Sequence, residues 1–137
     1  MLVHLPLACW LLAPACDAVA LLRGGEFFRQ AAALLSGAGV GFGALAAMFG
    51  MLELERLKDR KDLQKIATIH ASLMGTVWTL AVIALVGRLA EGFAAKTPAP
   101  MWVVVLDVLA AVVLLAGAFF GGEMVYRYGV GVRKGAG

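Results

Sequence analysis

Four apolar runs, separated by short links that carry charge or glycine, constrain this chain more than any other feature. They cover about residues 2–22, 30–52, 66–88 and 101–122. The hydrocarbon core of a bilayer is about 30 Å thick and a helix rises about 1.5 Å per residue, so about 20 apolar residues cross it once. Each run meets that length, and none alternates polar and apolar residues in the manner of a membrane-barrel strand. Composition points the same way. Of 137 residues, 62% are hydrophobic and 15% are charged, against about 25% charged in a soluble domain. A chain this short has too little interior to hide so much apolar surface, which argues against a soluble enzyme and against a disordered or nucleic-acid-binding tail.

The links are short, so consecutive spans are expected to be antiparallel neighbours. The fold class that follows is an all-α integral membrane protein: one domain, four transmembrane helices in an up-down bundle, and a glycine-rich basic tail over 123–137. Pro98 and Pro100 break the last link. Arg56, Lys58, Arg60, Lys61, Lys65, Arg127, Arg133 and Lys134 fall on one side, and Arg23, Arg29, Arg88 and Lys96 on the other. The richer side is expected to face the cytoplasm, which places both termini inside. The sequence Ala13-Pro14-Ala15 before Cys16 resembles a processing site, but no basic residue precedes it and Pro14 suits cleavage poorly, so the first span is expected to be retained.

Inside the spans, several residues stand out. Cys9 and Cys16 are seven apart, about 10 Å along one helix, which is too far for a disulfide, and they read as small packing residues. Gly37/Gly41 and Gly39/Gly43 are small-residue pairs on the second span, where a neighbouring backbone or a flat ring can approach closely. Pro14 removes one helical hydrogen bond and predicts a kink near residues 10–14. Thr68, Ser72, Thr76 and Thr79 follow helical spacing and are expected to bond between helices. Asp17 and Asp107 are carboxylates within apolar runs, at similar depth from the same boundary, and Arg88 ends the third run on that side. Buried acids of this kind should face the bundle, either as a structural cluster paired with the arginine or as a proton or quinone site, and the sequence alone does not choose between the two.

The two histidines of the chain, His4 and His70, both stand near the start of odd-numbered spans and so at the same side of the membrane. A neutral imidazole in an apolar bundle suits axial ligation of haem iron. Ala67 and Ala71 flank His70 with small side chains, and Gly39 and Gly43 could admit the flat ring. Arg56, Lys65 and Arg127 lie at the boundary where haem carboxylates would emerge.

These residues resemble a family of bacterial predicted membrane proteins, domain of unknown function 2231. The resemblance rests on Val3-His4-Leu5-Pro6, Asp17, Ala46-Ala47-Met48-Phe49-Gly50 followed by Glu53, His70, and above all the tail from Gly121-Gly122-Glu123 to Val132. It implies a four-span protein of unassigned biochemistry. It also implies a redox setting, because related domains are sometimes joined to Rieske-type iron–sulfur domains.

The expected function is that of a small b-type cytochrome of the bacterial inner membrane, a multi-pass electron carrier with one haem b held by His4 and His70. The alternative is a non-catalytic packing subunit of a larger membrane complex. The expected partners are the lipid bilayer, another redox protein or a quinone, and further copies or subunits in an oligomer.

Overall fold

The computed structural model describes residues 4–56, 60–90, 92 and 98–130. These form four α-helices: α1 (His4–Arg23), α2 (Glu26–Arg56), α3 (Lys61–Ala90) and α4 (Met101–Tyr126). All four are long and apolar enough to cross a membrane.

The helices outrun the apolar segments that predict them. α2 begins at Glu26 and continues to Arg56, and α3 begins at Lys61. Most of the charged link between them is therefore helical. Glu, Lys, Gln and Arg are good helix formers, and water accepts their charges once the chain leaves the hydrocarbon, so nothing ends the helix at the apolar boundary. By the same logic α4 takes in Glu123 to Tyr126, which the sequence reading gave to the tail. The link between α1 and α2 shrinks to Gly24 and Gly25, with φ of 71° and 110°. Only glycine adopts such angles without strain, and this pair lets two helices reverse within two residues. α1 runs on through Pro14.

α1 packs most extensively on α2, and α3 on α4; contacts between α2 and α3 and between α1 and α4 close the ring. At its centre Trp10, Val77, Ala81, Ala110 and Leu114 form a core. Alanines fill the close approaches, with Ala32 and Ala84 fully buried. Large side chains such as Val112, Leu115 and Phe119 point outward, as they can when the surroundings are lipid rather than water.

The hydroxyl groups of α3 depart from expectation. Thr68, Thr76 and Thr79 are exposed and donate to carbonyls four residues earlier in their own helix, at 2.8–2.9 Å. An outward hydroxyl has no neighbouring helix to bond, and its own backbone is the nearest acceptor. These residues do not tie helices together.

Two ends of the bundle carry polar chemistry. At one, Asp17 of α1 meets Arg88 near the end of α3 and Asp107 near the start of α4. At the other, the start of α1, the end of α2, the start of α3 and the end of α4 surround a cavity.

Candidate functional site

The cavity measures about 490 Å³, within the range of about 300–1,000 Å³ usual for small-molecule sites. Its lining is overwhelmingly apolar, with His70 and Glu53 as the ionisable members. Two indoles bound its deep end. Trp10 from α1 lies along α2: a Cβ placed on Gly39 would stand 2.7 Å from Trp10 Nε1, and one on Gly43 2.7 Å from Trp10 Cζ2 and 3.0 Å from Trp78 Cδ1. The glycine pair is thus the seat of a flat ring, and the ring seated there is Trp10. Trp78 Nε1 donates to the Val40 carbonyl at 3.1 Å, fastening α3 to α2. Trp10 Nε1 is buried and makes no hydrogen bond among the described residues.

His70 stands on the wall formed by α3 and is half-buried. Its Nδ1 lies 2.9 Å from the carbonyl oxygen of Gly117 on α4. A carbonyl can only accept, so Nδ1 carries the proton, and the tautomer that makes this bond has Nε2 as the nitrogen with the lone pair. Two glycines of α4 make this contact. A Cβ on Gly121 would come within 3.0 Å of His70 Cε1, and one on Gly117 would run into Met74 Cε. Gly117 and Gly121, four apart, therefore let the imidazole and a thioether lie against the helix backbone. Met51, Met74 and Met124 add three polarisable sulfurs to the lining.

The residues singled out by sequence fall into three groups. Ala67, Ala71, Gly43 and His70 line the cavity together. Gly39 is buried deeper, beneath Trp10. Lys65 and Arg127 are exposed at the same end. Arg127 donates to Glu123 at 2.8 Å and lies 5.5 Å from the Tyr128 ring centre; the Glu123 carboxylate raises the guanidinium pKa above its ordinary value. Arg56 closes α2, and its side chain lies outside the described residues, as do Arg133 and Lys134. His4 opens α1, is exposed and is not part of the lining, although Leu7, one turn later on the same face, is. The chain then folds back over the cavity: Gly129 turns with φ of 67°, and the Val130 amide donates to the Met124 carbonyl at 3.0 Å. This places Val130 in the lining.

Sequence reasoning placed Met74 on the face of His70 but missed the two indoles, Met51 and Met124, and the pair Gly117/Gly121. The glycine pair was legible as the same four-residue spacing already noted in α2. The indoles were legible as N–H donors inside apolar helices, where each needs an acceptor.

The opposite end is closed. Arg88 Nη1 donates to Asp17 Oδ1 at 3.0 Å, and Nη2 donates to both Asp17 Oδ2 and Asp107 Oδ2. The three residues are 6%, 2% and 5% exposed. Trp102 lies over the adjacent Gly87, where a Cβ would run into the indole. The paired arrangement expected of Asp17, Asp107 and Arg88 is what forms.

Among the described residues, no group of three or more His, Cys, Asp or Glu side chains is placed to hold a metal ion. No curated protein and no solved structure matches the chain. The family described as predicted membrane protein (DUF2231) matches residues 1–134, close to the whole of the chain. With four apolar helices and this coverage, the protein is a membrane protein that belongs to the DUF2231 family.

Proposed function

We propose that the chain is a small b-type cytochrome, a one-electron carrier in which the cavity holds a haem b with His70 as an axial ligand. The observation that carries this reading is the His70–Gly117 hydrogen bond. Histidines that bind metals commonly donate their other ring N–H to a carbonyl, which fixes the tautomer and orients the ligating nitrogen. The lining fits a flat apolar group: Ala67 and Ala71 beside His70 are small, and the cavity volume suits a cofactor. His4 is proposed as the second axial ligand because it shares the α1 face of Leu7, which lines the cavity. Arg56, Lys65 and Arg127 are proposed to pair with the haem carboxylates. Haem iron would supply reversible one-electron exchange, and His70 with the apolar lining would hold the group and keep water away. The electron would pass to or from another redox protein or a quinone.

The proposal extends to topology. The bundle is up-down, both termini are cytoplasmic, and the protein resides in the bacterial inner membrane. The excess of basic residues on the side of the 53–65 link supports this. Single cysteines placed in each link should react from outside only between α1 and α2 and between α3 and α4. A 53–65 link that reacts from outside overturns the orientation.

The spectrum of the purified protein tests the haem. A red preparation with a low-spin band on reduction, lost in His70→Ala while the fold persists, supports the reading. If His4→Ala keeps the full low-spin spectrum, the second ligand is a lining methionine or a residue of another subunit. A colourless, intact preparation overturns the haem and favours the packing-subunit reading. That reading draws on Gly41, which is open on the outward face of α2 beside exposed Phe42 and Leu45.

A further inference from the structure

We propose that the Asp17–Arg88–Asp107 cluster is a buried proton-binding site, holding one proton on the Asp107 carboxyl group while Asp17 and Arg88 form the ion pair. The first argument is charge. Two carboxylates and one guanidinium, all at least nine-tenths buried, sum to one uncompensated negative charge within the apolar bundle. Among the described residues, Arg88 is the one cation within ion-pair distance of either acid. Among the described residues, the other ionisable groups at this end are Cys16 and Arg23 on α1 and Glu26 and Arg29 on α2; Glu91 and Lys96 of the α3–α4 link lie outside the described residues. None of those described forms an ion pair or a hydrogen bond with Asp17 or Asp107. Glu26 accepts from Gln30 at 2.9 Å. An isolated charge in such a medium is removed by protonation before it is tolerated.

The second argument is independent of the sum and comes from the shape of the contacts. Arg88 offers two forks. Nη1 and Nη2 form one, and Asp17 fills it with both oxygens, the bidentate arrangement of an ionised carboxylate. Nε and Nη2 form the other. Asp107 touches only Nη2 there, and Nε–H is buried without a hydrogen-bond partner. A fully charged carboxylate beside that fork would take both donors. A neutral acid accepts through its carbonyl oxygen alone, which is the contact seen. The proton is shared in the thermodynamic sense: remove either carboxyl group, and the remaining one becomes the counter-ion of Arg88 and ionises.

Infrared spectroscopy of the protein in detergent or lipid at neutral pH tests this. The un-ionised carboxylic acid should appear as a C=O band that moves in deuterium oxide and shifts when the aspartates are labelled with carbon-13. The band should vanish in Asp107→Asn and equally in Asp17→Asn, since each leaves one acid for one guanidinium. The labelled parent protein decides the matter even if a variant fails to fold. An acid band absent from the parent overturns the proposal, as does one that survives in Asp107→Asn. A band that survives in Asp17→Asn overturns the charge-balance argument, because Asp107 would then stay neutral with no rival acid.

Discussion

At one end of the bundle, Arg88 is 6% exposed and tied to carboxylates from two other helices. At the other, His70 makes a hydrogen bond to α4 and borders a cavity of about 490 Å³. Both ends place ionisable side chains inside apolar helices, yet one is closed by ion pairs between three helices and the other is left partly open. The difference follows from what each group costs when unpartnered. A buried charge must be met by the chain itself, so three helices converge on one guanidinium. A neutral imidazole needs only one acceptor to fix its tautomer, and its second nitrogen can wait for a ligand. Lipid gives little drive to collapse the gap beside it, because tails are as apolar as the lining.

The sharpest way to break this comparison is Arg88→Met. It strands two buried acids and should cost about 3–5 kcal/mol, read as a large fall in melting temperature in detergent. An unchanged Tm would mean that the closed end is not held by its charges. Next comes Gly43→Ile, which drives a branched side chain into Trp10 and Trp78. Overpacking of this kind costs about 1–3 kcal/mol, whereas Gly41→Ile, facing open space, should melt like the parent. Equal effects at the two positions would show that the indoles do not rest on α2.

At the cavity end the effects are smaller and more local. Gly121→Ala puts a methyl group 3.0 Å from His70 Cε1 and should loosen the bond to Gly117, worth about 0.5–1.5 kcal/mol. Nitrogen NMR of labelled histidine should show the Nδ1–H signal of His70 shifted or lost, with the melt nearly unchanged. His70→Ala removes that bond outright and is expected to cost about 1 kcal/mol, and on the haem reading it also loses the bound group. A collapse of the fold in that variant would make His70 a structural residue like Arg88, and the contrast between the ends would disappear.

The sequence makes the charged end far more legible than the open one. Asp17, Arg88 and Asp107 are conspicuous because charges are rare in apolar runs, and depth counting alone brings them together. His70 was conspicuous for the same reason. Its surroundings were not, because a cavity is the absence of side chains, and glycine, alanine and methionine carry no signal of whether they touch a helix, a ring or nothing. The glycine stripe of α2 shows the ambiguity: its spacing announced a close neighbour, backbone or flat ring, but only packing reveals that Trp10 lies against Gly39 and Gly43. Helix ends were misjudged because hydropathy marks where the hydrocarbon stops, while the helix ends where its backbone bonding does.

The ion pair that joins α1 to α3 also sets a clock for biosynthesis. Asp17 and Arg88 are 71 residues apart, and at about 5–20 residues per second the arginine emerges about 4–14 s after its partner. For that interval the hairpin of α1 and α2, closed by Gly24 and Gly25, carries a carboxylate with no counter-ion. The hairpin of α3 and α4 brings both Arg88 and Asp107. The chain is therefore made as two halves, and the second half delivers the latch that fastens them.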